Sequence, residues 1–312
     1  MGGLLSVVQQ SFPPHPTWAV DDIPDLTGKV AIVTGSNVGV GKQTVKELLK
    51  HNAKVYLAAR NATKANTAIA ELKDETGKEA IFLQLDLADI HAVRKSAEEF
   101  LSKERQLHIL INNAGVMIPP VEEITVQKYD MQFGTNVMGH WLFTKLLLPA
   151  LLAVTDASPT REKARVVTVS SSANYFTNEI DFEAITDGPK RRKYDSWNLY
   201  YKSKLGDVVV ARELARRHGD KIVSTSVNPG NLDTDLQRHM PRWQYAIVRH
   251  LLYPASYGAL TQLYCATSPA AEDANGKFFI PWARLGKANP AGEDAKLGEK
   301  LWRWLEEETE KH

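Results

Sequence analysis

Between Ser196 and Gly206 the chain reads SWNLYYKSKLG, which sets two tyrosines side by side in front of two lysines. On a helix, side chains four apart share a face, while immediate neighbours point about 100° apart. Tyr200 therefore shares a face with Lys204, whereas Tyr201 has Leu205 at the same offset. An ammonium held beside a phenol favours the phenolate and moves the hydroxyl toward the working range of a proton donor. Tyr200 with Lys204 is thus a candidate acid–base pair and Tyr201 is not. A tyrosine and a lysine at this spacing are common on ordinary helices, so a reaction also needs a cofactor and a substrate site elsewhere in the chain.

The segment VTGSNVGVGKQT supplies the first of these. Gly35, Gly39 and Gly41 fall between an apolar run and an amphipathic one, where a strand turns sharply into a helix. Glycine lets the backbone approach a phosphate there, and the helix N-terminus behind it offers free amides and a positive dipole end. Ser36, Asn37 and Val40 complete the turn and are candidate contacts to the same group. The spacing differs from the usual dinucleotide fingerprint, so placement after a strand carries the weight. At the end of the next apolar run, YLAARNATK offers no carboxylate for an adenosine ribose hydroxyl. Arg60 stands there instead, with Asn61 and Lys64 behind it. A guanidinium suits a ribose 2′-phosphate, which points to NADP(H).

These residues require a scaffold, and the hydrophobic pattern describes one. From residue 28 onward, short β-branched runs alternate with longer amphipathic ones: KVAIVTG, GKQTVKELLKHN, KVYLAAR, ATKANTAIAELKDETG, AIFLQLDL, IHAVRKSAEEFLSKER and LHILINNAG. The pattern continues through a long helix near 128–153, the strand RVVTVSS, a helix over 196–218 and the strand IVSTSVNPG. Strand–helix–strand repetition predicts an α/β fold, a single doubly wound parallel sheet of about seven strands with helices on both faces and ligands beyond the strands' carboxyl ends. Residues 1–24 read as an N-terminal extension, with an extended lead-in at Pro13–Pro16. Residues 25–312 read as one domain, in which the apolar and aromatic stretch 231–256 would lie over the cleft as a substrate lid.

Bulk composition narrows the function further. Lysine and arginine total 38 against 37 acidic residues, a net charge of +1, so no overall field draws nucleic acid. One cysteine, Cys265, cannot form an internal disulfide, which fits a reducing, cytoplasmic setting, and its apolar surroundings mark it as packing. The basic run PKRRK at 189–193 reads as a solvated surface. The N-terminus has neither the length of a transmembrane span nor the form of a signal peptide and no transmembrane segment is expected, although peripheral membrane contact stays open because Gly2 and Ser6 match a loose acylation pattern. The nine histidines are scattered, and no metal site is expected.

In order along the chain stand TGSNVGVG, LDLA, NNAG, the asparagine of GTNVMGH, the serines of VTVSSSAN, YYKSK, and NPG followed by Thr234. Across roughly residues 25–285 this series resembles the short-chain dehydrogenase/reductase superfamily. The long separation of Ser171 from Tyr200 and the VYLAAR segment look most like its retinol-dehydrogenase-like branch, although the apolar N-terminal anchor of that branch's membrane-bound members is missing. The resemblance implies that Tyr200 exchanges a proton with a carbonyl or alcohol oxygen. Lys204 would lower the phenol pKa and bind the nicotinamide ribose, Ser171 would hold the substrate oxygen, and Asn136 would complete a relay through water to Lys204. It further implies cofactor contacts from Asp86 and Leu87, from Asn113, Ala114 and Gly115, and from Pro229, Gly230 and Thr234.

The expectation is therefore an NADP(H)-dependent oxidoreductase acting on a lipophilic alcohol, ketone or aldehyde, with a homodimer or homotetramer possible. The alternatives are an NADP(H)-binding sensor or scaffold without turnover, and a C=C reductase on the same fold.

Overall fold

The computed structural model describes residues 2–234, 249 and 252–312. Its strands are β1 (Val30–Thr34), β2 (Lys54–Ala59), β3 (Ile81–Gln84), β4 (Ile109–Asn112), β5 (Ala164–Val169), β6 (Ile222–Val227), β7 (Phe278–Ile280) and β8 (Arg284–Gly286). They form one sheet in the order β3-β2-β1-β4-β5-β6-β7-β8. Every pairing is parallel except β7 with β8. Six of the seven parallel strands, β1 to β6, are the runs that the periodicity names; β7 is three residues of FFI and is counted only in the expected total of about seven. The antiparallel eighth is three residues of RLG, too short and too polar to carry a pattern.

The helices are α1 (Gly2–Ser11), α2 (Gly39–Lys50), α3 (Ala62–Thr76), α4 (Ile90–Lys103), α5 (Met131–Ala157), α6 (Ser196–His218), α7 (Ala255–Thr267) and α8 (Ala295–Glu310). Alternation along β1 shows why they form two layers. Val30 and Ile32 belong to a core shared with α4, α5, α6 and α8. Ala31 and Val33 belong to one shared with α2, α3 and α7. Successive strand side chains point to opposite faces, so a run apolar at every position demands cover on both. Such burial, at roughly 25 cal/mol per Å² of apolar surface, is the main force holding the sheet between its helices.

α5 is long and apolar enough to cross a membrane, yet 67% of its most apolar window is buried inside the molecule, where it forms a wall of the first core. Its residues Gly134–Gly139 have π-helical geometry, a local widening that bulges the helix.

Residues Gly2–Ser11, expected only as part of an N-terminal extension, form a helix. The basic run is only partly solvated: Arg191 is fully buried, bonding the Val121 carbonyl and reaching Asp187 at 3.1 Å and Asp130 at 3.8 Å. A cation in a charge run can be buried when carboxylates and carbonyls stand ready to receive it; Asp187 is four residues away, but Asp130 and Val121 are distant in sequence. The lid expected over 231–256 lies mostly outside the described residues. Its ends are tied together, Tyr253 N–H donating to the Asn231 carbonyl at 2.8 Å and Asp233 N–H to the Tyr253 carbonyl at 3.0 Å. Cys265 is buried, and burial pushes its thiol up to about 12, in keeping with packing.

Candidate active site

The carboxyl ends of β1, β4, β5 and β6 place four loops side by side. After β1, Gly35 (φ 63°) and Gly39 (φ 56°) adopt the left-handed region that glycine enters without strain. A Cβ on Gly35 would lie 2.8 Å from Ala114 Cα, and one on Gly41 would lie 2.6 Å from Asn113 Nδ2, so the turn packs directly on the NNAG loop. Ser36 is buried and its hydroxyl donates to the Val33 carbonyl at 2.6 Å. Asn37 and Val40 are half-buried at the rim. Thr234 lies over the turn, its Cγ2 3.5 Å from where a Gly39 side chain would begin.

One threonine ties this turn to the neighbouring loop. Thr34 Oγ1 accepts from Asn113 N–H and Ala114 N–H, both at 2.9 Å, and stands 2.8 Å from His140 Nε2. His140 Nδ1 is 2.9 Å from the Asn136 carbonyl, which can only accept. The ring proton therefore sits on Nδ1, Nε2 accepts from Thr34, and His140 is neutral. Burial, with a smaller push from Lys204, depresses this imidazole to about 4. The glycine turn, the NNAG loop and α5 are locked together by this chain.

The other cofactor candidates take these places. Gly35 N–H bonds the Ala58 carbonyl, and Leu85 N–H bonds the Ala59 carbonyl, so the ends of β2 and β3 flank the turn. Arg60 is exposed just past β2. Asn61 caps α3 by accepting from Lys64 N–H at 2.9 Å, and the Lys64 side chain is exposed. Asp86 accepts from Ala88 N–H at 3.0 Å, whereas the cap of α4 is Asp89, so helix capping does not account for Asp86. Leu87 is buried, and its carbonyl would meet a Cβ on Gly139 at 2.4 Å. Gly115 lies 3.4 Å, measured to its absent Cβ, from Asn136 Oδ1. After β6, Pro229 and Gly230 (φ 94°) turn against Trp282, and Gly230 N–H bonds Asn228 Oδ1 at 3.0 Å.

The acid–base residues converge where β5 meets α6. Tyr200 is buried against Met117 and Ala173, and its hydroxyl faces Ser171, which favours the phenolate. Ser171 lies just past β5 and its Oγ accepts from Ala173 N–H at 3.2 Å. Lys204 Nζ sits 5.8 Å from the Tyr200 ring centre, donating to the Val169 carbonyl at 3.0 Å and to Asp207 at 2.8 Å. Asn136, in the π-helical part of α5, accepts from Val116 N–H at 2.9 Å and donates to the Val116 carbonyl and to Ser203 Oγ. These partners lie on the 116 loop and on α6, one residue from Lys204.

Sequence reasoning expected a lowered phenol. In the protein without ligands, burial raises the Tyr200 pKa, and the opposing pull of Lys204 and Ser171 does not outweigh it. Burial opposes charge on Lys204 as well, yet Asp207 and Tyr200 together carry its pKa upward. Asp207 was not among the expected site residues. The one sequence signal for it is an acid three residues past Lys204 in an otherwise apolar stretch, LGDVVVA.

The cradle fits a dinucleotide. Backbone fills the places where glycine side chains would stand, the first turn of α2 opens beside it, and one Lys204 N–H remains after its two bonds. A family model described as short chain dehydrogenase matches residues 29–180. A short-chain dehydrogenase/reductase of Armillaria gallica is 60% identical over 98% of each chain. Mouse retinol dehydrogenase 11 is 36% identical over 89% of this chain and 85% of its own. Among solved structures, 3-ketoacyl-(acyl-carrier-protein) reductase from Brucella melitensis, complexed with NADH, is 25% identical at a TM-score of 0.63, covering 82% of this chain and 96% of its own.

Proposed function

Because the chain belongs to the short-chain dehydrogenase/reductase family and to its retinol-dehydrogenase-like branch, we propose that it exchanges a hydride between NADP(H) and a lipophilic alcohol, ketone or aldehyde. The observation that carries this reading is the meeting of Ser171, Tyr200 and Lys204 at the end of β5, on the same rim as the glycine turn. When bound, the cofactor supplies or accepts the hydride. The chain's own part is to hold the substrate and move its proton.

In the reducing direction, the Ser171 hydroxyl positions the carbonyl oxygen and the Tyr200 hydroxyl donates its proton to it. The phenolate left behind is stabilised by the Lys204 ammonium. In the oxidising direction Tyr200 must first be the phenolate, so its raised pKa favours proton donation near neutrality. Substrate apolarity is supported by the apolar cluster around Tyr200, where Met117, Ile118, Ala173 and Tyr201 gather.

Cofactor choice rests on Arg60 and on the lack of an acid after β2. NADPH should bind at least about tenfold more tightly than NADH, roughly 1.4 kcal/mol, and Arg60→Asp should erase or reverse that preference. Calorimetry with both cofactors, then NADPH consumption against a panel of apolar ketones, aldehydes and a conjugated enone, tests the reading. Equal affinities would overturn the cofactor assignment. Binding without turnover of any member would favour a sensor or scaffold, and loss of the enone's double bond would favour a C=C reductase.

A further inference from the structure

Asp207 lies one turn past Lys204 on α6 and is buried, 1% exposed. Its Oδ2 accepts from Lys204 Nζ at 2.8 Å, while its Oδ1 is buried without a hydrogen-bond partner. A buried ion pair adds little stability unless its remaining lone pairs are satisfied, because both charges lose their hydration. Half of this carboxylate is unsatisfied. The pair is therefore poorly explained as a fold-stabilising contact, and it is made to the same ammonium that faces Tyr200.

We propose that Asp207 is a positioning residue for the reaction, holding Lys204 and offsetting part of its field so as to set the pH at which Tyr200 passes from proton donor to proton acceptor. The role in turnover rests on the functional reading above; the electrostatic coupling does not. Geometry gives the direction. An ionised Asp207 cancels charge that would favour the phenolate and adds a negative charge of its own to the neighbourhood. Burial pushes the Asp207 carboxyl up to about 7 against the pull of Lys204, and its charge in turn raises the Tyr200 pKa. Lys204 is the charged group that acts on Asp207. Tyr200 on the same helix, and His140 on α5, held neutral and sensitive to Lys204, are the other titratable groups of this network. From β5 the cluster is met by the uncharged Val169 carbonyl and from the following loop by Ser171.

The test needs no substrate at first. Ionisation of Tyr200 is read as the ultraviolet difference between each protein and its Tyr200→Phe counterpart, titrated with base. Asp207→Asn should lower that midpoint by about one pH unit or more, whereas Asp207→Glu, which keeps the charge, should stay near wild type. With an accepted ketone, the alkaline fall in NADPH-dependent reduction should move to lower pH by the same amount in Asp207→Asn. An unchanged phenol midpoint in Asp207→Asn would overturn the proposal. A shifted midpoint in a protein that reduces nothing would uphold the coupling and sink the functional reading alone. Should Asp207→Asn not fold, Asp207→Ser takes its place. If neither folds, infrared titration of wild type carrying isotope-labelled aspartate decides. A buried carboxyl that ionises in step with a change in the Tyr200 phenol supports the proposal, and one that ionises independently of it overturns it.

Discussion

Tyr200 and Tyr201 are neighbours in sequence but occupy different chemical settings. Tyr200 is 4% exposed and is faced by Ser171 and Lys204. Tyr201 is half-buried and stacks on apolar partners, its ring centre 5.1 Å from that of Phe176 and 6.0 Å from that of Trp197. Removing one hydroxyl should therefore matter far more than removing the other. Tyr200→Phe should lower kcat by about 100-fold or more, as expected for loss of a positioned general acid, while Tyr201→Phe should change it little. Lys204→Ala should weaken cofactor binding and turnover together. Steady-state NADPH consumption by the three variants checks this. An inactive Tyr201→Phe beside an active Tyr200→Phe would reverse the assignment.

At the scale of elements, the N-terminal helix is the unexpected contributor. Gln10 of α1 is 1% exposed; its Nε2 donates to Ser6 Oγ at 2.9 Å and its Oε1 accepts from Asn228 Nδ2 at 2.8 Å. Ser6 Oγ donates to Tyr175 Oη at 3.1 Å. Asn228 is the residue whose Oδ1 holds Gly230 N–H, so α1 braces the turn that follows β6. Gln10→Ala would leave the Asn228 amide buried with one partner fewer, at a cost of about 1–3 kcal/mol. Thermal unfolding should show a lower Tm for Gln10→Ala and for a chain lacking residues 2–11. Unchanged transitions in both would mean that α1 contributes nothing to the turn.

For the whole molecule, buried ionisable groups shape how stability follows pH. His140 is depressed from 6.5 to about 4 in the folded state. The folded chain then binds fewer protons than the unfolded one between these values, so the stability due to His140 is full above about 6.5 and is lost as pH falls toward 4. Asp130, raised to about 6 by burial, works the other way: its contribution is present in acid and lost as pH rises through about 6. At about 1.4 kcal/mol per pKa unit, the His140 effect reaches up to about 3 kcal/mol. His140→Asn should be less stable at neutral pH, yet lose less on acidification than wild type. Urea unfolding of both proteins across this window tests it, and parallel stability curves would contradict the assignment.

Much of this protein was legible along its chain. Apolar runs of period two and near four specified the first six parallel strands and the helices between them, because periodicity states which side of an element is buried. The glycines before α2 marked a backbone turn, and the spacing of Tyr200 and Lys204 set their shared face. RLG at β8 was too short to read, and the helix of α1 carried no pattern that told it from the rest of the N-terminal extension. What only tertiary structure decided was who meets whom across the fold, and how dry the meeting is. Asp207 finds Lys204 in a buried pocket, His140 becomes the neutral partner of Thr34, Arg191 is buried among carboxylates, and Gln10 reaches Asn228 from the far end of the chain. The direction of Tyr200's pKa shift belongs to the same class. Spacing foresaw the cation that lowers it, but the desolvation that raises it comes from residues packed around the ring, a quantity no local pattern contains.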